Sequence, residues 1–97
     1  MIQTITPREA ETLIAGGGVD VIDVRDAAEW TRGHIPGARP VPLGELKADP
    51  KGALPRDGVV FVCARGVRSL SAAKLAEAMG LERLYNIDGG TSAWSSA

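Results

Sequence analysis

Five consecutive apolar residues, Val59-Val60-Phe61-Val62-Cys63, follow the polar turn Arg56-Asp57-Gly58 and end at a loop that holds two arginines and a glycine. A run this short, rich in β-branched side chains and with no polar alternation, reads as a strand buried on both faces. Such a strand has no side to turn to water, so it belongs at the centre of a sheet covered by helices above and below. The rest of the chain supplies that cover. Thr6-Pro7-Arg8-Glu9 is a capping box with proline at the first helical position. Ala10, Leu13 and Ile14 then share one face, and Gly16 to Gly18 end the helix. Val19 to Val24 predicts a second strand. Ala27 to Arg32 predicts a short helix closed by Gly33. His34 to Pro55 is dense in proline and glycine and reads as turns and loop, with Val41 to Leu43 a brief edge strand because Pro42 is barred from a central one. A longer helix is expected from Arg68 to Met79, with Ala72, Leu75, Ala76 and Met79 at helical spacing. Leu84 to Ile87 is a further strand, Asp88-Gly89-Gly90 a turn, and Thr91 a cap for a last short helix holding Trp94. Strands alternating with helices at these distances predict an α/β fold with a mostly parallel sheet.

At 97 residues the chain has the size of one domain, expected to run from 1 to 97. Apolar residues make up 44%, enough for a core, and only four are aromatic, so that core is built from Val, Ile, Leu and Ala. The formal charge of −1 gives no reason to expect nucleic acid or an anionic membrane as partner. No apolar stretch approaches the roughly 20 residues of a membrane helix, and the N-terminus has neither a basic nor an apolar leader region. A single cysteine forms no internal disulfide, and with a single histidine it makes a poor metal site. The expectation is a cytoplasmic protein, monomeric or weakly dimeric, without metal or organic cofactor.

The chemistry concentrates at Cys63. In open α/β sheets ligands bind beyond the carboxyl ends of the strands. Cys63 ends the most buried strand, and a helix begins about five residues later. Gly66 lets the loop curl, so that loop amides and the helix start face the sulfur as an anion cradle. That field lowers a thiol pKa, and Arg65 and Arg68 are expected to push the same way. A thiolate at the bottom of a cationic bowl is a nucleophile for anionic substrates. A cysteine closing an apolar strand is more often an inert core residue. Two arginines and a glycine within the next five residues tip the balance toward chemistry.

Three blocks, in order, resemble the rhodanese family. Asp23-Val24-Arg25, Glu29-Trp30 and Gly33-His34-Ile35-Pro36-Gly37-Ala38 are similar to its DVR…EW…GHIPGA pattern; Cys63-Ala64-Arg65-Gly66-Val67-Arg68-Ser69 to its CxxGxRS loop; Asp88-Gly89-Gly90 with Ala93-Trp94 to its closing GGxxAW. The resemblance covers nearly the whole chain. It implies a central, mostly parallel five-stranded sheet flanked by helices on both sides, and a cysteine that cycles between thiolate and persulfide. It implies Cys63 as sulfur carrier, the backbone of Ala64, Arg65, Gly66, Val67, Arg68 and Ser69 around the outer sulfur, and the Arg65 and Arg68 side chains on the donor anion. The implied reaction moves a sulfur from thiosulfate to cyanide, a thiol or a partner protein.

Arg25 and Glu29 are read as a structural ion pair bracing the pocket. Asp23, at the same rim, pairs with a loop arginine or makes a simple turn hydrogen bond. His34 is read as satisfying backbone groups in its turn, and Trp30 and Trp94 as packing. Thr91 departs from the aromatic residue many relatives carry after the two glycines, and the chain stops three residues after Trp94; both bear on one pocket wall. Cysteine-based phosphatases and arsenate reductases are the enzymatic alternative, but the phosphatase loop resembles Cys-x5-Arg, whereas four residues separate Cys63 from Arg68, which disfavours that chemistry. A binding module without catalysis is the other alternative, disfavoured because Cys63 is present.

Overall fold

The computed structural model describes residues 1–96. Five strands run β1 Ile2–Ile5, β2 Asp20–Asp23, β3 Arg39–Pro40, β4 Val59–Val62 and β5 Leu84–Ile87. They form one sheet in the order β1-β5-β4-β2-β3, and every pairing is parallel. The apolar run is the central strand: Val59 to Val62 are each fully buried. Its side chains alternate between two cores. Val59 and Phe61 pack with Ile22, Leu46, Leu54, Ala72, Ala73 and Ala76 on one face. Val60 and Val62 pack with Val21, Ala10, Ile35 and Ile87 on the other.

Among the described residues six helices cover the sheet: α1 Pro7–Ala15, α2 Ala27–Thr31, α3 Leu43–Ala48, α4 Pro50–Ala53, α5 Val67–Ala78 and α6 Gly90–Ser96. The residues of α3 and α5, with Leu54 beyond α4, fill the first core, while Ala10, Leu13 and Ile14 of α1 and Trp94 of α6 fill the second. Phe61 is the largest side chain with no exposure at all, and truncating an aromatic residue in such a site costs about 3–5 kcal/mol. The capping box of α1 forms as its residues require: Thr6 Oγ1 accepts from Glu9 N at 3.1 Å, and Glu9 Oε1 accepts from Thr6 N at 2.9 Å.

Four expectations need correction. Ile2–Ile5 is a strand, although IQTI is too short and too near the terminus to stand out; it forms because β5 offers a free edge. The brief edge strand is Arg39–Pro40 and not Val41–Leu43. Within the expected loop, α3 and α4 form, the latter started by Asp49 accepting from Gly52 N at 3.1 Å with Pro50 at its first position. Thr91 lies inside α6, which begins at Gly90, so it does not cap that helix.

Candidate active site

β4 delivers Cys63 to the carboxyl edge of the sheet, between the ends of β2 and β5. The residue is 1% exposed and sits among the floor residues of a cavity of about 230 Å³, together with Ala64, Arg65, Val67 and Arg68. The turn into α5 is possible because Gly66 adopts φ 96°, a left-handed conformation open to glycine and costly for other residues. A Cβ there would also stand 3.3 Å from the Ile87 carbonyl. With the loop so curled, the Gly66 N–H donates to Cys63 Sγ at 3.1 Å, and the Ser69 hydroxyl lies 3.3 Å from the same sulfur. Burial pushes the Cys63 thiol up, but hydrogen bonds from the Ser69 hydroxyl and from the amides of Ser69, Arg65 and Gly66 outweigh it, so its pKa falls below that of a free thiol.

A residue not singled out from the sequence braces this loop. Asn86 of β5 is 4% exposed. Its Oδ1 accepts a short hydrogen bond from Ser69 Oγ, and its Nδ2 donates to the Gly66 carbonyl at 3.2 Å. Cys63, Gly66, Asn86 and Ser69 thus close a ring of hydrogen bonds around the sulfur. The available signal was a lone amide within the otherwise apolar strand Leu84-Tyr85-Asn86-Ile87. A second brace comes from the start of α6. Thr91 N donates to the Cys63 carbonyl at 2.8 Å and Ser92 N to the Ala64 carbonyl at 3.1 Å. A Cβ at Gly90 would stand 2.1 Å from the Cys63 carbonyl, so the second glycine of the pair is a steric necessity of that approach.

The charged rim is wired differently from the expected pairing. Arg25 does not pair with Glu29. Its guanidinium is bidentate on Asp23, with Nη2 to Oδ2 at 2.8 Å, and Nη2 also donates to the Gly33 carbonyl at 2.8 Å. Asp23 in addition accepts the Arg25 N–H at 3.0 Å, so it makes the turn hydrogen bond and binds no loop arginine. Adjacent residues on one turn reach each other more cheaply than Arg25 reaches across to α2. Glu29 instead holds Arg68, with Nη1 to Oε1 at 2.7 Å and Nη2 to Oε2 at 2.9 Å. The Arg68 guanidinium holds the Glu29 carboxyl down at about 2. Arg68 is in turn raised by Glu29, with a smaller contribution from a negative Cys63. Its charge at the rim is therefore paired with that of Glu29. Arg65 is exposed and, among the described residues, has no ion-pair partner. The loop amides and Ser69, and not the two guanidinium groups, are the main cause of the lowered thiol pKa.

His34 Nδ1 donates to the Trp30 carbonyl at 3.2 Å, and its ring stacks on that of Trp30 with the centroids 3.5 Å apart. Val67 stands out of the loop mouth, 74% exposed. Among the described residues no group of three or more His, Cys, Asp or Glu side chains is placed to hold a metal ion. No helix among them is long and apolar enough to cross a membrane.

Comparison with known proteins places this geometry. The family described as "Rhodanese-like domain" matches residues 6–97. The "Thiosulfate sulfurtransferase GlpE" of Pseudomonas putida is 34% identical over 90 residues, covering 93% of this chain and 82% of that protein. The "Probable adenylyltransferase/sulfurtransferase MoeZ" of Mycobacterium tuberculosis is 37% identical over 95% of this chain, which spans only 24% of its length. Among solved structures, a Rhodopseudomonas palustris protein of unknown function, described as a possible tyrosine phosphatase, superposes with a TM-score of 0.86 at 39% identity, over 98% of this chain and 80% of that one.

Proposed function

This chain belongs to the rhodanese-like domain family, and from that premise we propose that it is a sulfurtransferase carrying a sulfane sulfur on Cys63. The observation that carries the reading is the ring around the sulfur: an amide, a hydroxyl and a buried brace converge on one cysteine and lower its pKa. A buried structural cysteine needs none of these.

In the first half-reaction the Cys63 thiolate attacks the outer sulfur of thiosulfate. A new S–S bond forms, the old one breaks, and sulfite leaves with the electron pair. The outer sulfur then lies among the amides of the Ala64 to Ser69 loop, with Arg65 and Arg68 positioned at the rim for the donor's charge. In the second half-reaction cyanide, a small thiol or a thiol on a partner protein attacks the outer sulfur, and Cys63 leaves as thiolate. Asp23 and Arg25 act as supporting residues by fixing the turn after β2, and Glu29 by fixing Arg68. The whole chain, 1 to 97, works as one domain in this scheme. The lone cysteine suits a reducing compartment such as the cytoplasm, where thiol acceptors are abundant.

Purified protein is expected to convert thiosulfate and cyanide to thiocyanate. Cys63→Ala should reduce turnover by at least about a thousandfold, as loss of a covalent nucleophile does. Undiminished turnover in that variant overturns the assignment. A phosphatase reading draws on the described relationship to the Rhodopseudomonas palustris protein. Only four residues separate Cys63 from Arg68, too few to place amides around all three oxygens of a phosphoryl group, so aryl phosphates should be hydrolysed only at background.

A further inference from the structure

A second cavity, of about 350 Å³, lies on the face of the sheet opposite the Cys63 sulfur. Arg25, Arg32, His34, Ile35, Thr91 and Trp94 line it, and it shares no lining residue with the cysteine loop. Ile35 and Trp94 belong to the core packed under α1, whereas Cys63 belongs to the core on the α5 face. The start of α6 closes the way between them. Thr91, which lines the cavity, donates its N–H to the Cys63 carbonyl at 2.8 Å, and Ser92 donates to the Ala64 carbonyl at 3.1 Å. A molecule held in this cavity therefore does not touch the sulfur. The sulfur-transfer scheme leaves the cavity without a role.

Its lining is one-sided in charge. No carboxylate lines it. Arg25 is 7% exposed, and Asp23 and the Gly33 carbonyl engage its Nε and Nη2. Its Nη1 has no hydrogen-bond partner among the described residues. No fully buried side-chain nitrogen or oxygen among them lacks a partner, so Nη1 reaches open space, and this cavity is the space Arg25 lines. The guanidinium is a rigid planar fork; with Asp23 fixed on one edge, the ion pair turns its positive end toward the cavity. Arg32 adds a second cation, exposed and without an ion-pair partner among the described residues. Trp94, Ile35 and the His34 ring, itself stacked on Trp30, supply apolar walls. A few fixed polar donors set among apolar walls, in a space within the 300–1,000 Å³ or so usual for small ligands, make up the ordinary composition of a binding pocket.

We infer that this cavity is a binding site for a small organic carboxylate with a flat apolar body, separate from the cysteine site. The carboxylate accepts from Arg25 Nη1 and pairs with the Arg32 guanidinium, and the body lies against Trp94. A planar, two-oxygen anion suits two guanidinium groups of which one is held rigidly and the other swings on its stem. The rigid donor is already desolvated on its other edge by Asp23 and Gly33, so binding orders only the Arg32 side chain. The inference goes beyond the sulfurtransferase reading and does not depend on it, because nothing in the site involves the sulfur.

The test titrates benzoate and its neutral isostere benzamide into isotope-labelled protein and follows the N–H resonances by NMR. Benzoate should shift the Arg25 Nε–H and Thr91 N–H signals saturably. It should bind about tenfold more tightly than benzamide, the effect of one charge-assisted hydrogen bond in a partly solvated site. Acetate, which lacks the apolar body, should bind several-fold more weakly than benzoate. Arg32→Glu changes an exposed side chain that holds no other element in place, and it should weaken benzoate at least tenfold while leaving benzamide unchanged. Arg65→Ala, in the cysteine loop, should leave benzoate affinity as in wild type. The site is overturned by the absence of a saturable shift at Arg25 and Thr91, by equal affinities for benzoate and benzamide, or by an Arg32→Glu affinity equal to wild type. Binding that weakens with Arg65→Ala and not with Arg32→Glu, with shifts confined to the Gly66 and Ser69 amides, overturns it as well, by placing the anion at the cysteine. Acetate binding as tightly as benzoate would overturn the assigned ligand class. Because every readout is binding to unloaded protein, the thiosulfate and cyanide assay can fail while this site holds, and the reverse.

Discussion

The two ends of β4 are built from the same parts and do opposite things. At the entry end Asp57 Oδ1 accepts three backbone N–H groups, from Gly58 at 2.8 Å, Glu82 at 3.1 Å and Arg83 at 2.9 Å. Beside it Arg56 holds Asp20 at 2.7 Å. At the exit end backbone amides again converge on one acceptor, and an arginine again holds a carboxylate, Arg68 on Glu29 at 2.7 Å. The difference lies in what occupies the centre. Asp57 is a carboxylate kept charged by its amides, so the nest at the entry is permanently filled and works as a staple. Cys63 is a nucleophile whose charge changes through a reaction, so the nest at the exit must serve more than one state. A nest of amides with an arginine beside it is therefore not by itself a site; the titrating sulfur at its centre makes it one.

The sharpest way to break this comparison is to freeze the exit nest. Ser69 has one hydroxyl hydrogen and two claimants, Asn86 Oδ1 and Cys63 Sγ. With a neutral thiol or a persulfide, the hydrogen goes to Asn86. With a thiolate, it is worth more on sulfur, because a hydrogen bond to a charged group contributes about 1.5–3 kcal/mol against about 1 for a neutral pair. Ser69→Ala should therefore slow alkylation of Cys63 at pH 7 by about tenfold and move its pH profile upward. Asn86→Leu removes the competitor and should move the profile downward. It also leaves the Gly66 carbonyl without its donor, at about 1–3 kcal/mol of stability. Coincident profiles for the two variants and wild type would mean the exit nest is as fixed as the entry one.

The rim offers a second, smaller separation. Were Arg68 a free anion receptor, its loss and the loss of Glu29 would be unrelated. Because the two are bidentate partners, their removal should have opposite signs. Arg68→Ala uncovers the Glu29 carboxylate and should raise KM for thiosulfate by about tenfold. Glu29→Gln frees the guanidinium and should lower it by about threefold, the smaller change because that group remains partly solvated. Steady-state kinetics over a range of thiosulfate concentrations measures both. Two changes in the same direction would show that the pair shapes the loop without reading donor charge.

Much of this architecture was legible in the sequence, and the misses share a physical cause. Val59 to Cys63 announced a central strand because burial on both faces leaves no polar position. The Thr6 capping box announced its helix because the signal is local. Cys63, Gly66 and the α5 start could be placed together because they are consecutive. Asn86 could not, because its relation to Ser69 and Gly66 spans two strands and exists only once β5 lies beside β4. The rim pairing failed for the same reason. Spacing along the chain favoured Arg25 with Glu29, while the fold brings Arg68 across from α5 and lets Asp23 take Arg25 on its own turn. The strand β1 was missed because four residues derive their strand character from the edge of β5 and not from themselves.

The smallest expected effect tests whether the two nests of β4 titrate as different devices. Backbone hydrogen bonds, that from Arg83 first, hold the Asp57 carboxyl below the usual carboxylate range. A group whose pKa is depressed on folding stabilises the fold above its unfolded value and loses that contribution as pH falls through the folded one. Asp57→Asn should thus lower Tm by a constant few degrees from pH 7 down to about 5, with the gap closing below about pH 4. Cys63 has the same sign in another window, since its thiol is also lowered on folding. Its contribution is complete only above the free-thiol pKa of about 8.5 and vanishes as pH falls through the lowered value. The Tm gap between wild type and Cys63→Ser should therefore shift in favour of wild type as pH rises from neutral toward 9, and stay flat in acid. Thermal melts of both variants across pH 3 to 9 separate the two windows. If the Asp57→Asn gap persists unchanged below pH 4, the entry nest does not draw its strength from charge, and the symmetry between the two ends of β4 is only one of shape.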